Sequence, residues 1–113
     1  VHIKADKDQF VRVFNNIIKN SIQAITSERV GKIEIKIFTN KDKVHVTVSD
    51  NGVGIDPSKE GKIFVPYFTT KSNGTGLGLA MVKQIIENHH GTIDFETVLD
   101  EGTTFEVILP LNL

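Results

Sequence analysis

The stretch IEIKIFTNKDKVHVTVSD, residues 33–50, decides the fold. Ile33, Ile35 and Ile37 alternate with polar residues, as do Val44, Val46 and Val48, and Asn40, Lys41, Asp42 and Lys43 stand between the two runs. Strict alternation of β-branched residues on either side of a short polar joint predicts an antiparallel hairpin with one apolar face. Asp50 shares the inward parity of the three valines, so a strand that persists to its end aims a carboxylate at the apolar side. A carboxylate placed there needs a hydrogen-bond partner.

Upstream, Val1 to Lys4 reads as a short strand, and Asp6 is a suitable N-cap for a long helix running to about Thr26. Phe10, Val13, Phe14, Ile17, Ile18, Ser21, Ile22 and Ile25 recur at helical spacing and predict a face packed on a core. Asn20 falls about 20° from Val13 round such a helix, and Asn16 lies one turn back beside it. Two amides therefore sit where the apolar stripe meets solvent.

Downstream, periodicity disappears from Asn51 to Thr75 among Gly52, Gly54, Pro57, Gly61, Pro66, Asn73 and Gly74. A loop of that length in a compact domain is usually functional or mobile. Helical spacing returns at Leu79, Val82, Ile85, Ile86 and His89, with Gly91 as a natural stop. A last hairpin alternates Ile93, Phe95 and Thr97, turns at Asp100, Glu101 and Gly102, and alternates again at Phe105, Val107 and Leu109. The sum is an α+β two-layer sandwich, a mixed and mostly antiparallel sheet with helices packed on one face.

Composition narrows the function. The 113 residues contain no internal repeat and fit a single domain, 1–113. Thirteen basic and fourteen acidic residues leave a net charge of -1, which offers no basic field for nucleic acid or for direct contact with an anionic membrane. The absence of cysteine removes disulfides, thiolate metal sites and thiol nucleophiles, and fits a cytoplasmic domain. No apolar run approaches the ~20 residues that cross a bilayer, which still allows a parent protein held in the inner membrane. Because Val1 begins directly in strand-like sequence, the chain is expected to be one domain of a longer protein.

Three segments join glycine to polar residues. Asp50-Asn51-Gly52-Val53-Gly54 reads either as turn chemistry or as a site where a carboxylate accepts from a purine amino group while glycines admit a flat ring. Gly74-Thr75-Gly76-Leu77-Gly78-Leu79-Ala80 is a poor way to begin a helix unless its exposed amides have a task, and binding phosphate is the obvious one. It lacks the Gly-Lys-Ser/Thr ending of a P-loop and does not follow a strand as a dinucleotide fingerprint does. Asn16 and Asn20 are either solvated helix asparagines or, at one-turn spacing, hard oxygen ligands able to complete the shell of a Mg²⁺.

These segments, in this order, resemble the catalytic domain of sensor histidine kinases, a branch of the Bergerat-fold ATPases. Asn16 to Ala24 looks like the N box, Asp50 to Gly54 the G1 box, Phe64-Val65-Pro66-Tyr67-Phe68 the F box and Gly74 to Gly78 the G2 box. The likeness spans essentially the whole chain, including Gly102-Thr103-Thr104-Phe105 and Leu109-Pro110 of the closing strand.

The resemblance implies that Asp50 accepts from the adenine amino group, with Gly52, Gly54 and Ile55 beside it and Thr103 assisting through water. It implies that Asn20 ligates Mg²⁺, that Asn16 and Lys19 lie near the phosphates, and that Gly74, Thr75, Gly76, Leu77, Gly78 and Leu79 present backbone to them. Residues 55–75 would form an ATP lid carrying Phe64 and Phe68, aromatics that otherwise read as core anchors. Gln23 and Ala24 stand where many members carry a basic or aromatic side chain, and His89-His90-Gly91 stands where His-Gly-Gly is common. The histidine pair reads as a plain helix end, because adjacent helical residues point apart. ATP and Mg²⁺ are the implied cofactors.

Catalysis of phosphoryl transfer is mainly positioning and charge neutralisation. None of His2, His45, His89 or His90 has the acidic neighbour and downstream proline of a phospho-acceptor box. The acceptor and the general base are therefore expected on a separate histidine-bearing dimerisation domain of a homodimeric parent, with a response regulator downstream. The chain itself is expected to bind ATP without phosphorylating itself. The alternative is an ATPase or anti-sigma-type serine kinase of the same superfamily. Hydrolytic relatives carry a glutamate near the N box, where Asn16 and Lys19 stand here.

Overall fold

The computed structural model describes residues 6–66 and 78–111, which form an α+β two-layer sandwich. The elements run α1 (Lys7–Ala24), β1 (Ile33–Asn40), β2 (Lys43–Asp50), a short 3-10 helix (Pro57–Lys62), α2 (Gly78–Asn88), β3 (Thr92–Val98) and β4 (Gly102–Pro110). The strands pair in the order β1-β2-β4-β3, and each pairing among the described residues is antiparallel. The strand expected at Val1 to Lys4, and the loop positions Phe68, Gly74, Thr75, Gly76 and Leu77, lie outside the described residues.

Local chemistry sets the boundaries. Asp6 caps α1 as expected: its backbone is extended, and its carboxylate accepts from the Gln9 N–H at 3.1 Å. The helix ends at Ala24, two residues before Thr26, because Ile25 turns extended and the Ala24 carbonyl accepts instead from the Val53 N–H at 2.9 Å. Two residues rather than four join β1 to β2: Lys41 and Asp42, at φ of 51° and 64°, lie between the paired Asn40 and Lys43. Left-handed conformation at both central positions matches the twist of the flanking strands. At the end of α2, His90 rather than Gly91 takes the left-handed conformation, with φ of 64°. Gly91 is needed for space, since a Cβ there would sit 2.5 Å from the Ile108 carbonyl oxygen.

The core lies between one face of the sheet and the two helices. Val13 and Ile17 of α1 and Val82, Ile85 and Ile86 of α2 close over Val44, Val46, Val48, Ile93, Phe105, Val107 and Leu109. Each such side chain contributes about 1.5 to 3 kcal/mol when fully withdrawn from water. Ser21 is as buried as Val13, and among the described residues its hydroxyl has no partner.

The helix layer covers β2, β3 and β4 and stops short of β1. Ile35 and Ile37 are paired with Val48 and Val46 on the core-side face, yet they remain 49% and 68% exposed. Alternation reported their face correctly and could not report that nothing in the described chain covers it. Ile22, expected in the apolar stripe, lies about 140° from Ile17 round the helix and is exposed.

Candidate functional site

Asp50 ends β2 opposite Ile33 on one side and Thr103 on the other. Its Oδ1 accepts from the Gly52 N–H at 2.9 Å and the Thr103 N–H at 3.4 Å. Both donors converge on one oxygen, and among the described residues no donor reaches Oδ2. The half-buried carboxylate is thus fixed in orientation with one oxygen still able to accept. The buried Thr103 places its hydroxyl 2.9 Å from the Thr97 hydroxyl, which also accepts from the Ile55 N–H at 2.8 Å. Asp50, Gly52, Ile55, Thr97 and Thr103 are therefore one hydrogen-bonded group.

The two glycines of the segment make room for protein. A Cβ on Gly52 would lie 2.5 Å from the Ala24 carbonyl oxygen, so the loop rests directly on the last turn of α1. Gly54 has φ of 73°, and a Cβ there would lie 2.5 Å from the Val98 carbonyl oxygen. Asn51 clasps the loop before β1: its Nδ2 donates to the Val30 carbonyl at 2.8 Å and its Oδ1 accepts from the Lys32 N–H at 2.8 Å. Arg29 joins this clasp through Nη1, which donates to the carbonyls of Asn51, Gly52 and Asp100 at 2.7, 3.1 and 3.0 Å.

Along α1, Asn16, Asn20 and Ala24 recur at four-residue spacing and so form a row on one side of the helix, about 12 Å from first to last. The amide nitrogen of Asn16 donates to the Arg12 carbonyl at 2.9 Å, and that of Asn20 to the Asn16 carbonyl at 2.8 Å. Asn16 Oδ1 lies 2.8 Å from where a Cβ on Gly78 would stand, so the first residue of α2 is against the N-terminal end of the row. Gly52 abuts its other end at Ala24. Lys19 is exposed on α1, and Leu79, in the first turn of α2, packs partly against the core.

Phe64 is half-buried, edge-on to Phe95 at 6.0 Å between centroids, with Lys83 Nζ 5.1 Å from its ring centre. It is anchored on the core as well as lying in the predicted lid. Before it, Asp56 caps the 3-10 helix; its carboxyl is held below the ordinary 3.8 chiefly by the Ser58 N–H and then by the Ser58 hydroxyl. His89 closes a helix end: Nδ1 is 2.8 Å from the Ile85 carbonyl, which can only accept, so Nδ1 carries the proton and Nε2 accepts from the Asp6 N–H at 3.4 Å. Among the described residues no group of three or more histidine, aspartate or glutamate side chains is placed to hold a metal ion.

Sequence reading placed Asn51 in a candidate segment without giving it a role, and passed over Arg29 and Thr97. Thr97 looked like one more strand position. Arg29, in the polar run Thr26-Ser27-Glu28-Arg29, carries no signal that separates it from a solvated loop arginine.

The family model for histidine kinase-, DNA gyrase B- and HSP90-like ATPases matches residues 5–113. Among curated proteins, the chain is 44% identical over 111 residues to the signal transduction histidine-protein kinase AtoS of Escherichia coli, covering 97% of this chain and 18% of that protein. It is 43% identical to the sensor histidine kinase ZraS of Salmonella typhimurium, covering 96% and 23%. The chain thus spans about a fifth of the length of these relatives. The solved catalytic domain of histidine kinase ThkA, in a nucleotide-free form, superposes with a TM-score of 0.83 at 38% identity, covering 96% of this chain and 70% of that one. The mycobacterial sensor histidine kinase MprB shares the fold at a TM-score of 0.84 and 23% identity, covering 96% of this chain and 76% of that one. Boxes, topology and matches agree, and the chain belongs to the family of histidine kinase-, DNA gyrase B- and HSP90-like ATPases, where its relatives are sensor histidine kinases.

Proposed function

We propose that the chain is the ATP-binding catalytic domain of a two-component sensor histidine kinase, which gives the γ-phosphate of ATP to a histidine on a separate dimerisation domain. The observation that carries this reading is the row Asn16, Asn20, Ala24, with Gly78 at one end and the Gly52 loop with its fixed Asp50 carboxylate at the other. That arrangement sets a purine acceptor at one end of the row and two carboxamides with the start of a helix toward the other, as an adenine nucleotide sets its amino group and its phosphates at opposite ends. Ile55, Gly54 and Thr103 would flank the base, while Lys19, Leu79 and the loop residues Phe68, Gly74, Thr75, Gly76 and Leu77 would complete the phosphate end.

Asn20 fits a metal ligand in kind: a carboxamide oxygen is a hard donor, and its amide nitrogen is held by the Asn16 carbonyl at 2.8 Å. A Mg²⁺ held there supplies charge neutralisation to the phosphates. The described residues contribute no general base in this reading. A histidine-bearing helical domain supplies the acceptor, and a response regulator receives the phosphoryl group afterwards. No described helix is long and apolar enough to cross a membrane.

The test is titration of the chain and of Asp50→Asn with ATP and with GTP. An asparagine keeps an oxygen for the Gly52 and Thr103 amides but replaces the other acceptor with a donor. ATP binding is expected to weaken by about 1.5 to 3 kcal/mol with the melting temperature retained, and ATP to outcompete GTP in the parent chain. Equal ATP affinity in the variant removes Asp50 from the site.

A further inference from the structure

We infer that Arg29 is a positioning residue for nucleotide binding, acting through Asp50 from a loop that precedes β1; this rests on Asp50 being the purine acceptor. Nη1 of Arg29 reaches three carbonyl oxygens, those of Asn51, Gly52 and Asp100, at 2.7, 3.1 and 3.0 Å. A guanidinium only donates and a carbonyl only accepts, so the sense of all three contacts is fixed. The acceptors belong to two different segments. Asn51 and Gly52 follow Asp50 directly, and Asp100 stands in the turn that leads into β4.

Those two segments also supply the two donors that orient the Asp50 carboxylate, the N–H groups of Gly52 and Thr103. Arg29 therefore grips the peptide unit next to one donor and the turn that carries the other. The same segments meet directly where the Asp100 N–H donates to the Val53 carbonyl at 2.7 Å. Without the guanidinium, three carbonyls, those of Asn51 and Gly52 partly buried, lose a charged donor at once, and among the described residues the two segments are left tied by that backbone bond, the Asp50 carboxylate and the end of the β2–β4 ladder. The loss reaches the site as a less well oriented Oδ2, the oxygen that faces no protein donor among the described residues. Arg29 itself needs no contact with the nucleotide.

Because one nitrogen makes all three contacts, a lysine ammonium, with its three N–H bonds on one atom, is a conservative replacement in a way that an apolar side chain is not. The experiment compares the chain with Arg29→Met and Arg29→Lys by amide hydrogen exchange without nucleotide and by NMR titration with ATP, which reads weak affinities. The expected result for Arg29→Met is a fall of about tenfold in protection at the Gly52 and Thr103 amides, with the core amide of Val107 unchanged, and a rise of about tenfold in the ATP dissociation constant. Arg29→Lys recovers most of both. Arg29→Gln, which keeps two donors, carries the same test should the methionine variant not fold. Protection that is unchanged at Gly52 and Thr103, or that falls equally at Val107, overturns the inference. So does a local loss of protection with unchanged ATP affinity. In that last case Asp50→Asn locates the failure: if it too leaves ATP binding intact, the purine-acceptor reading is wrong, and if it weakens binding, only the role of Arg29 is.

Discussion

Residues 51 to 54 and residues 56 to 66 are neighbours in the chain and opposites in how they are held. Apart from the Gly52 N–H, which stays with Asp50, the first segment sends its polar groups far away in sequence: to Ala24 at the end of α1, to Val30 and Lys32 before β1, to Asp100 in the last turn, and to Arg29. The second sends them to itself. Asp56 accepts from Ser58, the Lys59 N–H donates to Asp56, and the Val65 N–H donates to Lys62. Among the described residues its ties to the rest of the molecule run through side chains, Ile63 on the core and the ring of Phe64, which meets Phe95 and Lys83 Nζ. Ile55, bonded to Thr97, marks the border. A segment whose backbone bonds cross to other elements opens only when those elements part, whereas one with local bonds opens by giving up side-chain packing. The adenine end of the proposed site is thus built on a fixed platform, and the segment that leads toward the phosphate end is hung from an aromatic hook.

The largest effect should come from striking the platform. Gly52→Ala places a methyl 2.5 Å from the Ala24 carbonyl oxygen, which forces α1 and the loop apart at a cost of about 3 kcal/mol, to be read as a lower denaturation midpoint of the whole domain. An unchanged midpoint would mean that the platform is less fixed than its contacts imply. A smaller, local effect should follow from cutting the hook. Phe64→Ala removes half-buried ring surface at a cost of about 1 to 2 kcal/mol, and hydrogen exchange should quicken in residues 56 to 66 while Asn51 to Gly54 keep their protection. Quickening in both segments alike would abolish the distinction. The smallest effect concerns acid. The Asp56 carboxyl titrates below 3.8 in the folded chain because Ser58 donates to its charged form, so its contribution is complete above pH 3.8 and is lost as the pH falls through the lower folded value. Amide shifts confined to residues 56 to 62 should appear only in that range, and Asp56→Ala should abolish them with little change in the melting temperature.

Much of this was legible in the sequence, for separable reasons. The strands and helices followed from period: Val44, Val46 and Val48, or Val82, Ile85 and Ile86, announce their buried faces by spacing alone. The Asp6 cap followed from residue chemistry, and the inward parity of Asp50 followed from counting along β2. What period cannot report is coverage, which is why Ile35 and Ile37 were expected inside and stand exposed on β1, the edge strand among the described residues. Nor can residue type report which of two neighbours adopts a strained turn, as His90 does in place of Gly91. The contacts of Arg29 and Thr97 join positions separated by as many as 71 residues, and no local pattern encodes such a meeting.

The pairing of β2 with β4 has a consequence in time as well as in space. Each hairpin, β1 with β2 and β3 with β4, closes a loop of two or three residues and can zip early at little entropic cost. The central pairing of the two hairpins brings together residues such as Asp50 and Thr103, 53 positions apart. Long-range pairings of this kind set the pace at which a sheet of this topology folds. The orientation of the Asp50 carboxylate depends on Thr103, so it is completed in the same step that joins the hairpins, and a chain stalled before that step has both halves of the proposed adenine platform and no oriented carboxylate.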